Sequence, residues 1–281
     1  MFKAIAVISC FSLVLGKSLS AELPESFDAR TQWSSCSSIG TVWDQGNCNS
    51  SWALSALSVL ADRICIASNQ ATNVLLSPED LLTCCADCGD GCEGGEPSKA
   101  WNYLSTKGVT TGFVYGTSYG CKAYSVRPCG HFNRSTQLLK CSSISQAQLG
   151  ECSDSCGANN DDTSYPLYYS QQEYQVPSDV ESIKREILTN GPVQAGVTLF
   201  EDFYNHYTGL YVADTSDESE DLPTQYVKVV GWGKTTSDEE YWIILNSWNT
   251  DWARRGSLQW LVNQANSNLE NRVYAALPRQ S

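Results

Sequence analysis

Past its first fifteen residues the sequence has no apolar run of the length a bilayer requires, so no later membrane span is expected. Basic residues are few: 18 Lys and Arg stand against 31 Asp and Glu, a net charge of −13. An acidic surface repels phosphate backbones and anionic lipid, which disfavours nucleic acid and anionic membranes as partners. Histidine is scarcer still, at two residues, His131 and His206. Chemistry that needs an imidazole base therefore has two candidates in the whole chain. Repeats and low-complexity tracts are absent, apart from an acidic run from Asp214 to Asp221 that reads as a solvated loop.

What the chain does have begins at its N-terminus. Lys3 precedes an apolar run from Ala4 to Leu15, with small residues at Ser18 and Ser20. That pattern reads as a secretory signal over residues 1–20, in preference to a buried N-terminal strand. Its removal would take Lys3 and Lys17 and leave a net charge of −15. Cys10 would leave with it, and 12 of the 13 cysteines would remain. An even number in an exported chain reads as a disulfide framework, each bridge contributing roughly 2–4 kcal/mol. The close set Cys84, Cys85, Cys88 and Cys92 has zinc as its alternative reading, which an oxidising compartment disfavours; no metal and no cofactor is expected. Two sequons, at Asn49 and Asn133, are glycan candidates in an exported protein.

Organisation follows from periodicity. Ala53, Ala56, Leu57, Leu60, Ala61 and Ile64 have the spacing of a helix that buries one face. Ser77-Pro78 predicts a capped short helix through Leu82, and a third helix is expected from Pro97 to about Thr106, stopped by Gly108. The segment from Cys121 to Cys156 has five cysteines and little periodicity, which predicts a stapled surface loop. Ser178 with Glu181 reads as a capping box for a helix ended by Asn190-Gly191-Pro192. Val193–Leu199, Tyr226–Val230 and Tyr241–Leu245 predict strands. Helices first and strands second imply an α+β chain of two lobes.

Several motifs carry a resemblance. These are Leu23-Pro24-Glu25-Ser26-Phe27-Asp28-Ala29-Arg30, Gln45 with Ser51-Trp52-Ala53, Asp80 to Cys85, Cys88 to Gly95, and Asn246-Ser247-Trp248-Asn249-Thr250-Asp251-Trp252. With them the chain resembles the cathepsin B group of papain-like cysteine proteases from Leu23 to Pro278. The resemblance implies a helical lobe over about 44–160, including an occluding-like loop at 121–156. A β-barrel lobe over about 161–281, joined by segment 23–43, would complete the domain 21–281 and leave a substrate cleft between the lobes. It also implies the pairs Cys36–Cys65, Cys48–Cys92, Cys84–Cys152, Cys85–Cys88, Cys121–Cys156 and Cys129–Cys141.

The family's nucleophile is a Cys at a helix N-terminus and its base a His; here those positions hold Ser51 and Gln225. Gln45 matches the oxyanion position, Asn246 the residue that orients the base, and Trp248 the residue that covers it. A serine hydroxyl needs a general base, and an amide does not take up a proton at neutral pH. Cys129-Gly130-His131-Phe132 keeps one of two loop histidines that hold a substrate carboxylate, the alternative being a structural His. Gly94 and Gly95 match the strip that pairs with substrate, and Glu270 the acid at the base of a specificity pocket; their alternatives are a turn beside Cys92 and an ordinary surface acid. Asn49 and Thr224 replace glycines and should narrow the cleft. The family's propeptide has no counterpart between residue 20 and Leu23, as expected where no activity needs restraint.

The expectation is an inactive homologue, secreted or held in a lysosome-like compartment, that acts by binding a peptide, a protease inhibitor or an extracellular protein. Two alternatives are a weak hydrolase using Ser51 and a structural protein with a vestigial cleft.

Overall fold

The computed structural model describes residues 22–132, 137–156, 166–214 and 222–279. The signal segment, the sequon at Asn133 and all but Asp214 of the acidic run lie outside these residues. No helix among the described residues is long and apolar enough to cross a membrane.

Among the described residues five α-helices form: α1 Ala29–Gln32, α2 Ser51–Ala67, α3 Pro78–Cys84, α4 Pro97–Thr106 and α5 Val180–Asn190. Ser77 caps α3 by accepting from Asp80 N, with Pro78 in the first turn where its missing N–H costs nothing. The cap of α5 lies one residue later than expected. Asp179, not Ser178, accepts from Ser182 N at 2.8 Å, a carboxylate being the stronger acceptor beside the positive helix end. Helix α2 also departs from expectation, because nearly all its sides are buried. It is wedged between two cores, so even Asp62 and Arg63 are enclosed.

The strands are β1 Phe27–Asp28, β2 Tyr174–Gln175, β3 Val193–Thr198, β4 Leu210–Tyr211, β5 Thr224–Lys234, β6 Glu240–Leu245, β7 Ser257–Leu261 and β8 Val273–Ala275. They form one sheet in the order β2-β8-β3-β5-β6-β7-β4, with β1 paired to β5. The expected barrel is therefore corrected: the sheet is not closed. Its path ends on the two-residue strands β2 and β4, which do not pair with each other. Strand β5 organises it, pairing β3 through its first half and β1 through its second, with an irregularity between Val229 and Gly231. Gly231 is required there, since a Cβ would stand 2.0 Å from the carbonyl oxygen of Phe27.

One core collects Trp43, Trp52, Leu57, Trp101 and Leu104 around the first helices; the other lies on the sheet around Trp232, Trp242, Ile244 and Trp260. Polar side chains tie the lobes. Lys228 Nζ on β5 donates to Asp62 on α2 at 2.8 Å, both fully buried. Gln194 on β3 donates to Trp52 O and Ser55 Oγ and accepts from Trp101 Nε1. These contacts fix α2 against β5, which sets the first residue of each element at the cleft.

The six disulfides join the pairs that the resemblance implies, and Cys84, Cys85, Cys88 and Cys92 all lie in bridges. Among its described residues the loop from Cys121 to Cys156 holds one short 3₁₀ turn, yet it is not purely superficial. Tyr124 and Val126 are buried in the helical core and Phe132 in the sheet core.

Candidate functional site

Ser51 is the first residue of α2, where the helix leaves backbone N–H groups free and its dipole is positive. Its Oγ accepts one hydrogen bond, from Tyr226 N on β5 at 3.2 Å. The described residues place no basic group on that hydroxyl. The loop before it is pinned on three sides: Gln45 N donates to Ser247 O, Asn49 N to Cys92 O, and Tyr124 Oη to Gln45 O. Burial pushes the Tyr124 phenol well above its usual range, so it stays a neutral donor.

Gln225 stands next to Tyr226 on β5 and is buried. Its Nε2 donates to Gln45 Oε1 at 2.9 Å and to Asn246 Oδ1 at 2.8 Å, with Ser247 Oγ at 3.3 Å. Ser247 Oγ in turn donates to Gln45 Oε1 at 2.7 Å, and Ser247 N to Asn246 Oδ1 at 2.8 Å. Gln45 Nε2 donates inward, to Cys48 O at 3.0 Å. The amides of Gln45 and Gln225 and the carbonyl of Asn246 thus satisfy one another. The lone pair of an amide nitrogen is delocalised into its carbonyl and takes up no proton at neutral pH, so this cluster is a hydrogen-bond lock without a base.

Beside it lies a cleft of about 400 Å³, walled by Asn49, Gly94, Gly95, His131, Tyr204, Thr224 and Trp248 among others. Gly95 must be glycine, since a Cβ would stand 2.4 Å from the Trp52 ring. It also bridges Gly89, so the turn and the cleft wall are one feature. Asn49 and Thr224 do line this space, and they leave it open. Trp248 is buried among Tyr204, Phe203 and Trp252.

His131 faces the cleft, stacked on Trp248 with ring centroids 5.6 Å apart. Its Nε2 is already paired with Asp44 Oδ1 at 2.9 Å, and Asp44 is further held by Gly46 N and Asn249 Nδ2. The neighbouring Phe132 packs on Tyr207. His131 therefore ties the loop to the helical lobe through Nε2. His206 packs edge-on to Tyr211 and does not line the cleft.

Glu270 is corrected outright. It is neither in the cleft nor on the surface, but buried, accepting from Trp242 Nε1 at 2.8 Å and Asn263 N at 2.9 Å. An apolar sheet core with an indole N–H to satisfy draws the carboxylate inward. Two residues on, Arg272 donates to Thr224 Oγ1 at 2.8 Å, so the charge at this edge of the cleft is positive. Sequence reasoning missed Arg272, Ser247 and the Asp44 partner of His131. Ser247 lies inside a recognised motif and Asp44 directly beside one, but their roles depend on contacts across 202 and 87 residues.

Residues 23–277 match the profile of the papain family cysteine protease, and the chain belongs to that family. Within it the similarity is to cathepsin B-like proteins. The chain is 39% identical to cathepsin B-like cysteine proteinase 4 of Caenorhabditis elegans over 259 residues, 92% of this chain and 76% of that protein. It is 38% identical to cathepsin B-like cysteine proteinase 1 of Ostertagia ostertagi, covering 90% of this chain and 73% of that one. Among solved structures, procathepsin B S9 from Trypanosoma congolense superposes with a TM-score of 0.77 at 32% identity, covering 93% of this chain and 80% of that one.

Proposed function

We propose that this chain is a cathepsin B-like protein without peptidase activity that works by binding an extended peptide segment in its cleft. That segment would be a free peptide, or part of a protease inhibitor or an extracellular protein. Export to the extracellular space, or to a lysosome-like compartment, accords with the six disulfides and the N-terminal pattern. One observation carries the reading: the position of the family's base holds Gln225, whose amide nitrogen is spent on Gln45 and Asn246. Two further features support it. Ser51 Oγ has no basic partner among the described residues, and Gln45 Nε2 is turned to Cys48 O, away from any oxyanion. The open cleft of about 400 Å³ favours binding over a vestigial site.

Hydrolysis of a dibasic fluorogenic peptide by the wild type, with Ser51→Ala in parallel, tests the chemistry. Equal background rates are expected from both proteins. Turnover that Ser51→Ala abolishes would overturn the reading and favour a weak serine hydrolase. Fluorescence anisotropy of labelled extended peptides then tests binding, and no saturable signal from any of them would sink that half of the proposal.

A further inference from the structure

Asn49 lies within the sequence Asn49-Ser50-Ser51, an acceptor for N-linked glycan whose required hydroxyl is Ser51 itself. Relative to the family pattern, both ends of that triplet differ: Asn49 stands for a glycine and Ser51 for the nucleophilic cysteine. The two differences together create the acceptor. Asn49 is exposed at the cleft wall, and its side-chain amide makes no hydrogen bond to the described residues. Its backbone, by contrast, is fixed, with Asn49 N donating to Cys92 O at 2.9 Å. Ser50 between them is buried and is not proline, so the triplet is competent before folding. The six disulfides require an oxidising compartment, and in eukaryotes the ER lumen is both oxidising and the site of glycan transfer. Beside the Cys48–Cys92 bond, Asn49 lines the same space as Glu93, Gly94 and Gly95.

We propose that Asn49 carries an N-linked glycan and that this glycan covers the cleft. The donor is a lipid pyrophosphate-linked oligosaccharide. Asn49 Nδ2 forms a bond to C1 of the reducing-end sugar, the bond from C1 to the pyrophosphate oxygen breaks, and the amide loses one proton as the lipid pyrophosphate leaves. The first sugar rings then occupy the space above Gly94 and Gly95 that an extended peptide would need. Glycan occupancy decides which molecules present an open cleft. The modification stands apart from the peptide-binding reading; only its effect on ligands rests on that reading.

The test uses full-length protein secreted from a eukaryotic host, with Asn133→Gln as the background so that one sequon remains. Tryptic mapping before and after amidase deglycosylation reads occupancy at Asn49. Glycan is expected in this background and in Ser51→Thr, and is lost in Asn49→Gln and Ser51→Ala. An unmodified Asn49 in the secreted protein overturns the proposal and leaves peptide binding untouched. The cover is read without any ligand, from maleimide labelling of Thr224→Cys on the opposite wall. Labelling should be about tenfold or more slower with the glycan than after native deglycosylation, a difference of ~1.4 kcal/mol in barrier. Equal labelling rates overturn the cover even if the glycan is present.

Discussion

Placing the family's two chemical groups at Ser51 and Gln225 is the sharpest perturbation this site offers. Removing nucleophile and base from a unit of this kind costs on the order of 10⁶-fold in turnover, about 8 kcal/mol at ~1.36 kcal/mol per decade. In the double variant Ser51→Cys with Gln225→His the thiol would sit at the first residue of a 17-residue helix, where free N–H groups and the dipole favour a thiolate. The new imidazole has an orienter in place, because Asn246 Oδ1 already accepts from the Gln225 nitrogen at 2.8 Å. The oxyanion donor is not ready, since Gln45 Nε2 must first release Cys48 O. Giving up that bond costs about 0.5–1.5 kcal/mol, up to roughly tenfold in rate. Peptidase activity should therefore return to about tenfold below what the restored pair alone would give. Adding Asn49→Gly and Thr224→Gly should raise it further by widening the cleft. The assay is hydrolysis of dibasic and diacidic fluorogenic peptides, beside the pH dependence of thiol alkylation. A folded double variant whose thiol alkylates readily at neutral pH yet hydrolyses nothing would refute the reasoning, because the pair would be present and the cleft unable to use it.

Other predictions rest on buried charge and on the new cation. Burial raises the Asp62 carboxyl and lowers the Lys228 ammonium, so desolvation outweighs their mutual attraction. Lys228→Met should cost about 3–5 kcal/mol in urea unfolding, whereas Asp62→Leu with Lys228→Met should be near neutral; equal losses in both would be inconsistent with this. In Lys228→Met the carboxyl is pushed above its unfolded value, so the carboxylate opposes folding at neutral pH. That deficit against wild type shrinks as pH falls through the raised value, which unfolding at neutral and mildly acidic pH would read. Arg272 beside Thr224 predicts that diacidic peptides bind about two- to fivefold tighter than dibasic ones, a difference of up to ~1 kcal/mol at a half-exposed site. Anisotropy titrations showing an unchanged preference in Arg272→Glu would exclude that role.

Helices α3 and α4 were legible because their starts are local: Ser77-Pro78 and Pro97 act on the residues beside them. Much of the sheet was not. Strands β1, β2 and β4 have two residues each, too few for a periodicity to register, and β8 has three. They exist because longer partners supply their hydrogen bonds, as β5 does for Phe27 and Asp28. In the loop from Cys121 to Cys156 the absence of periodicity correctly predicted no regular element, but Tyr124 is buried by a hydrogen bond to Gln45, 79 residues away. Glu270 shows the limit of positional matching. Glu270 lies in the turn before β8, where its carboxylate enters the sheet core, whereas Arg272 two residues on reaches Thr224 at the cleft edge.

The amide cluster should also be a stabilising one. Charged, poised catalytic groups commonly cost a protein stability, whereas here neutral groups satisfy each other: Gln225 Nε2 with Gln45 and Asn246, Ser247 with both of them. Gln225→His alone would replace a two-proton nitrogen by a single N–H in the neutral ring. Asn246 Oδ1 keeps Ser247 N, and Gln45 Oε1 keeps Ser247 Oγ, so no acceptor is stranded. The loss is then one net hydrogen bond plus misfit of a rigid ring at a nearly enclosed position, about 1–3 kcal/mol. Urea unfolding of Gln225→His against Gln225→Ala separates the two contributions. If Gln225→His is as stable as the wild type, the amide lock contributes nothing, and the glutamine is merely tolerated where the family places an imidazole.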